Sequence, residues 1–178
     1  GRSDGRGPRM AETRTPYGVP ASGGYRKRSA DHYDRELCLD RDVLVDFVVS
    51  TQPKEWGRLK RQYGQSVADA FCRRVASEVD ARGVVDVLRQ GVKDRGCRFH
   101  LAFFKPNTGL NPDTQRLYQA NQFSVVRQLH YSTRNENSLD MVLFLNGLPL
   151  FTVELKNELT GQTVHDAMRQ YQRDRDPR

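Results

Sequence analysis

The strongest constraint on the fold is segment 139–156, which reads LDMVLFLNGLPLFTVELK. Two apolar runs flank the dipeptide Asn146-Gly147, and this dipeptide between apolar runs is one of the strongest short-range signals of a β-hairpin. The sequence therefore predicts two adjacent antiparallel strands, at residues 139–145 and 148–156.

Three charged residues lie within these otherwise apolar strands. Asp140 begins the first strand, and Glu154 and Lys156 stand two positions apart near the end of the second. Because side chains alternate along a strand, Glu154 and Lys156 point to the same face. Charges in apolar strands cost several kcal/mol unless they are paired or bound to an ion. We expect the two carboxylates and the ammonium to converge at one end of the sheet.

Such a set suits the hydrolysis of a phosphodiester. Asp140 and Glu154 can hold Mg²⁺, which keeps water ligands and engages phosphate oxygens. Lys156 would orient or help to deprotonate the attacking water, or neutralise the developing charge. The alternative is a structural ion pair of Lys156 with Glu154 or with Asp140.

The register of the hairpin decides whether one metal can reach both carboxylates. A two-residue type I′ turn pairs Leu145 with Leu148, which puts Asp140 and Glu154 on opposite faces. A three-residue loop, with Gly147 left-handed, restores a shared face. We therefore predict a loop of odd length, or a compensating bulge between Asp140 and Glu154.

Residues 31–110 are predicted to form a helical subregion, because apolar residues recur there at helical spacing. The predicted helices run from a cap at Asp40 or Asp42 to about residue 50, through Trp56 and Tyr63, and from a cap at Ser66 to about Gly83. A short strand is expected at residues 97–104. Residues 111–178 form the predicted catalytic core, with a helix at residues 114–120 and a strand at residues 123–131 before the hairpin.

Residues 1–30 are rich in glycine and arginine and are predicted to form a disordered arm. The whole chain has a formal net charge of +7, and the arm carries most of this surplus. Bulk charge is therefore a weak argument for DNA binding.

Several classes of protein are excluded by composition. The apolar runs are too short for a membrane span, and the amino terminus lacks the apolar segment of a secretory signal. The three cysteines, Cys38, Cys72 and Cys97, are widely spaced and contain no C-x-x-C motif, which argues against a disulfide framework and against a zinc site. A cytoplasmic protein is expected.

Three segments carry a family resemblance: FSVVRQLHYS, LDMVLFLNGLPLFTVELKNELTGQ and QYQRDRDP, in this order. Together with TQPKEW upstream, they closely resemble the nuclease domain of the restriction (R) subunit of type I restriction enzymes. The similarity runs over about residues 33–177. The resemblance implies an α/β fold of the PD-(D/E)XK restriction-endonuclease type, in which helices flank a mixed sheet.

The resemblance also implies the chemistry. It assigns Asp140, Glu154 and Lys156 as catalytic residues, with Asp140 and Glu154 as ligands of Mg²⁺, in the cleavage of double-stranded DNA. Family members use a Gln or Tyr on the following helix near the DNA, and Gln170 and Tyr171 match that place. The family's ATP-driven motor would follow this segment. The chain contains no G-x-x-x-x-G-K-[ST] motif, and we expect it to be truncated at its carboxyl end, before that motor.

Three arginines are further candidates for contacts with DNA. Arg127 lies on the strand before the hairpin and could meet phosphates near the cut. Arg169 and Arg173 are four residues apart and share a helix face. A solvated face paired with Asp166 or Asp174 explains those two equally well.

The combined hypothesis is a Mg²⁺-dependent endonuclease domain whose partners are double-stranded DNA and the methylation and specificity subunits of a restriction complex. No membrane partner is expected. Two alternatives stay open. One is a catalytically silent DNA-binding or assembly module of the same fold, and the other is a structure-selective PD-(D/E)XK nuclease such as a junction resolvase.

Overall fold

The structure is a computed structural model, and it describes residues 24–107, 111–131 and 138–155. Some predicted features lie outside these residues: Lys156, Arg169, Gln170, Tyr171, Arg173 and the helix expected after residue 157.

Four helices build the predicted helical subregion. They are α1 (Arg41–Thr51), α2 (Pro53–Tyr63), α3 (Val67–Arg82) and α4 (Val84–Gln90). The cap predicted for α1 is confirmed, because the carboxylate of Asp40 accepts a hydrogen bond from the Val43 N–H at 3.3 Å. Ser66 stands at the predicted N-cap position of α3, but its side chain makes no capping hydrogen bond. The hydroxyl of Ser66 donates instead to the carbonyl of Tyr63 and closes the preceding turn.

The core of this subregion is apolar and rich in aromatic rings. Phe71 packs edge-on against Phe99, with ring centroids 4.9 Å apart, and against Trp56 at 5.5 Å. Phe99 ends the second strand of a small hairpin made of β4 (Val92–Asp94) and β5 (Cys97–Phe99). The predicted strand at residues 97–104 was therefore too long. Beyond Phe99, the side chain of Gln52 takes the place of a strand partner by bonding both backbone polar groups of His100.

A second part of the fold is a mixed sheet. Its strands are β1 (Arg26–Arg28), β6 (Phe123–His130), β7 (Ser138–Leu145) and β8 (Leu148–Val153), in that order, with α5 (Pro112–Gln119) just before β6 in the chain. Strand β1 is parallel to β6, and the other pairs are antiparallel. A short antiparallel pair, β2 (Tyr33–Asp34) and β3 (Leu39–Asp40), connects β1 to α1. This architecture confirms the predicted mixed sheet with flanking helices. In the described part of the chain, no helix is long and apolar enough to cross a membrane.

Strand β1 corrects the predicted end of the disordered arm. The guanidinium of Arg28 makes two hydrogen bonds to the carboxylate of Asp40, at 2.8 and 2.9 Å, and Asp40 is only 2% exposed. Tyr25 packs edge-on against Phe123, with centroids 5.7 Å apart. These side chains and the pairing with β6 compensate for the entropy lost on ordering this polar stretch.

The tip of the β7–β8 hairpin is buried in the helical subregion. Asn146 is fully buried, and its side chain accepts from the Gln122 N–H and donates to the Leu101 carbonyl. Gly147 has a φ of 84°, and a Cβ on it would lie 2.4 Å from the Asp40 carbonyl oxygen. Glycine is needed there for both the backbone conformation and the close approach. The hairpin is thereby held at the start of α1.

Candidate active site

The register of β7 and β8 contains the bulge that the sequence analysis required. Around the turn, Leu145 pairs with Leu148 and Phe144 with Pro149, as in a two-residue turn. Both turn residues, Asn146 and Gly147, have positive φ, which is typical of a type I′ turn. The predicted three-residue loop is therefore wrong, and the alternative prediction, a compensating bulge between Asp140 and Glu154, is confirmed.

The bulge lies on β8. Leu143 pairs with Phe151, so that the intervening Leu150 is the extra residue, and the ladder continues to Met141 and Val153 in the shifted register. The next positions along this ladder are Asp140 and Glu154. Opposed residues of an antiparallel pair share a face. Without the extra residue, the two carboxylates would point to opposite sides of the sheet.

The backbone after β8 is bonded to Asp140. The Leu155 N–H donates to Oδ2 of Asp140 at 2.7 Å, which fixes this end of the chain beside the carboxylate, and Oδ1 has no hydrogen-bond partner among the described residues. Asp140 is half-buried, and Glu154 is exposed. Lys156 follows directly in sequence but lies outside the described residues.

Asp140 lines an open cleft of about 920 Å³ at the end of the sheet. Its lining side chains come from β1, the turn after it, β6, β7 and the end of β8: Lys27, Arg28, Ser29, Ala30, Arg127, Gln128, Asp140 and Leu155. Glu154 is not part of this lining, although it is opposed to Asp140 in the register.

Positive charge dominates the cleft. The hydrogen bond to Asp40 raises the pKa of the Arg28 guanidinium and holds it charged in place. Lys27 and Arg127 form no ion pair with any described residue, so their charges are available to an anion. A polyanion can therefore approach the carboxylates from this side.

The carboxylates of Asp140 and Glu154 suit Mg²⁺ better than they suit a metal whose ligands all come from the protein. In the described residues, no three His, Cys, Asp or Glu side chains are grouped as metal ligands. Mg²⁺ commonly binds through one or two carboxylates and completes its octahedron with water and phosphate oxygens. Asp140 and Glu154 supply such a pair.

Arg127, which was predicted as a contact with DNA phosphates, lines the cleft, whereas Lys27 and Arg28 were not among the predicted site residues. Both were assigned to the disordered arm because that stretch has no apolar periodicity. No local sequence signal identifies either residue, since the burial of Asp40, which holds Arg28, is visible only in the structure.

A comparison with known protein families decides the identity of this fold. The family described as the type I restriction enzyme R protein N terminus matches residues 51–178. The chain belongs to this family. The predicted resemblance is thus confirmed, and the family is that of a restriction endonuclease subunit.

The family match covers most of this R-protein domain, including Asp140, Glu154 and Lys156. Strand β1 and most of α1 precede the matched residues. Lys27 and Arg28 therefore extend the site beyond the part that the family describes. Neither a search of curated proteins nor a search of solved structures gives a significant match.

Proposed function

We propose that this R-protein domain cleaves the phosphodiester backbone of double-stranded DNA in a Mg²⁺-dependent reaction. The observation that carries the proposal is the bulge at Leu150, which shifts the register so that Asp140 and Glu154 are the positions that follow the pair of Met141 and Val153. Asp140 also lines a basic cleft. A bulge next to an active site is a common means of re-aiming a side chain.

Each residue has a distinct role in the proposal. Asp140, oriented by the Leu155 N–H, and Glu154 are the metal ligands. When bound, Mg²⁺ offsets charge on the phosphate and lowers the pKa of the attacking water. Lys156 orients that water or neutralises charge that develops on the phosphate.

The cleft supplies the contacts that hold DNA. Lys27 and Arg127 bind backbone phosphates, and contacts of this kind position the duplex without reading its sequence. Gln170, Tyr171, Arg169 and Arg173 stay predicted DNA contacts on the segment that follows. Recognition of the target sequence belongs in this proposal to the methylation and specificity subunits, and ATP is used only by a motor elsewhere in the R subunit. The domain acts in the cytoplasm, where its substrate lies.

The test is cleavage of a plasmid by the complete R subunit assembled with its partner subunits. We expect Asp140→Asn, Glu154→Gln and Lys156→Ala to reduce cleavage to background, because each removes a group needed where metal and phosphate meet. ATP hydrolysis and translocation should continue in all three variants.

The matched control is Asp113→Asn, since Asp113 is an exposed acid in the first turn of α5, away from the cleft. It should cleave at the wild-type rate. Wild-type cleavage by Lys156→Ala would contradict the assignment of this site. Wild-type cleavage by all three variants would identify the domain as a silent DNA-binding or assembly module.

A further inference from the structure

Gln128 has an unusual backbone conformation within strand β6, with a φ of 50°. The other described non-glycine residues with positive φ lie in turns that join neighbouring strands: Cys38, Arg95 and Asn146. The left-handed region is unfavourable for a residue with a Cβ, and inside a strand it marks strain that the surroundings hold. Such strain is concentrated at functional sites.

The left-handed residue breaks the alternation of side chains along β6. Ser124 and Val126 are buried, as a regular period of two requires. Arg127 and Gln128 are then both exposed, and Leu129 is buried.

The register with β7 does not change across this break. Arg127 pairs with Met141, and Leu129 pairs with Leu139, so that no residue is inserted between them. Position 128 stands opposite Asp140 in the same register. The conformation of Gln128 therefore redirects side chains without displacing the strand.

Arg127 and Gln128 both line the cleft that contains Asp140. In a regular strand, consecutive side chains point to opposite faces. Opposed residues share a face, so residue 128 would remain beside Asp140 and Arg127 would leave the cleft. Neither the Arg127 nor the Gln128 side chain has a hydrogen-bond or ion-pair partner among the described residues.

We propose that the Gln128 amide donates a hydrogen bond to a backbone phosphate of DNA in this cleft. Its left-handed conformation also holds Arg127 on the same cleft, as a second, charged contact. The inference rests on the proposed function, since it takes the DNA backbone as the ligand. The two contacts are distinguishable, because a neutral amide displaces no counterion from DNA and a guanidinium displaces about one.

The experiment measures binding of the full 178-residue chain to a short fluorescein-labelled duplex by fluorescence anisotropy. Ca²⁺ replaces Mg²⁺ so that the duplex stays intact, and affinity is recorded over a series of salt concentrations. Gln128→Gly removes the amide and keeps a residue that favours positive φ. Gln128→Val removes the amide and introduces a β-branched residue that disfavours positive φ.

We expect Gln128→Gly to bind about tenfold more weakly, the size of one hydrogen bond to a charged acceptor. Its salt dependence should match that of the wild type, and its melting temperature should be equal or higher because the strain is relieved. Gln128→Val should lose affinity further, with a slope of log affinity against log salt that is shallower by about 0.9.

Wild-type affinity in Gln128→Gly would overturn the amide contact, and an unchanged salt slope in a folded Gln128→Val would overturn the positioning of Arg127. If Gln128→Val does not fold, Gln128→Gly alone decides: a shallower slope in that variant overturns the neutral contact. These failures are separable from failure of the proposed function. If the proposed function fails, the wild-type chain itself does not bind the duplex, or Asp140→Asn still supports cleavage in the assembled enzyme.

Discussion

At the scale of single residues, Asn146 does more than form a turn. Its backbone is left-handed with a φ of 51°, and its side chain also donates to Oδ1 of Asn121 at 2.9 Å. Asparagine tolerates the left-handed region better than other residues with a Cβ. Asn146 thus adopts the backbone conformation that the turn requires, and its side chain also bonds the buried polar groups next to the turn.

We expect Asn146→Ala to lower the free energy of unfolding by about 2–4 kcal/mol, because it leaves the Gln122 N–H and the Leu101 carbonyl without their partner. Urea denaturation measures the loss. Asn146→Gly keeps the conformation and loses the same bonds, so the difference between the two variants reports the backbone strain, about 1–2 kcal/mol.

Asn111→Ala is the asparagine control for this prediction. Asn111 caps α5 from an exposed position, and its loss should cost about 1 kcal/mol. A smaller effect of Asn146→Ala than of Asn111→Ala would show that the buried network does not hold the hairpin tip.

At the scale of elements, strand β1 links the cleft to the helical subregion. Asp40 caps α1, its backbone N–H donates to the Gly147 carbonyl at 2.9 Å, and its carboxylate holds Arg28. The same residue therefore contacts the first helix, the hairpin tip and the edge strand. Through Asp40, β1 is connected to the place where the hairpin is anchored.

We expect Arg28→Ala to destabilise the domain by about 2–3 kcal/mol, since it leaves the Asp40 carboxylate buried without its cation. The value lies below that of a fully buried pair because the Arg28 side chain is 22% exposed.

Deletion of residues 1–23, which hold few apolar side chains, should leave the melting temperature unchanged.

Thermal denaturation of three forms measures this prediction: wild type, the deletion and Arg28→Ala. Lys27→Ala is the neighbouring control, because Lys27 is exposed and forms no ion pair among the described residues. Equal melting temperatures for Arg28→Ala and Lys27→Ala would show that β1 does not stabilise the fold.

At the scale of the whole molecule, the cleft lies between elements that are far apart in sequence. Lys27 comes from the first described strand, and Arg127 comes from a strand about a hundred residues later. Their positive charges meet only because β1 pairs with β6 in parallel. The net charge of the chain gave no indication of this arrangement.

We expect Lys27→Ala and Arg127→Ala each to weaken binding to duplex DNA and to make the salt dependence shallower by about 0.9 per residue. Fluorescence anisotropy over a salt series measures both effects. Lys93→Ala, at an exposed lysine on β4 in a separate sheet, is the control and should change neither. Equal salt dependence of binding for Lys27→Ala and Lys93→Ala would show that β1 is not part of the DNA-binding surface.

The sequence predicted the features that depend on local pattern. The helices α1 and α2 and the hairpin follow from apolar periodicity, from Asp40 at the start of α1, and from Asn146-Gly147. The requirement that two carboxylates share a face predicted that the register must shift, and the structure places that shift at Leu150.

The sequence could not predict the features that depend on tertiary contacts. The three charged residues of β1 are ordered by contacts distant in sequence, with β6 and with the buried carboxylate of Asp40. The left-handed conformation of Gln128 has no local signal, since neither glycine nor asparagine stands there. The strand predicted at residues 97–104 ended early because a distant side chain, Gln52, bonds its backbone.

Isothermal calorimetry of the chain titrated with Mn²⁺ measures whether Asp140 and Glu154 together bind one divalent cation. The wild type should show one site for which Mg²⁺ competes, and Asp113→Asn should keep that site. Asp140→Asn and Glu154→Gln should each abolish it, because each removes one of the two charged ligands on which the site depends. A site that survives unchanged in both variants, or no site in the wild type, would show that Asp140 and Glu154 do not form a shared metal site.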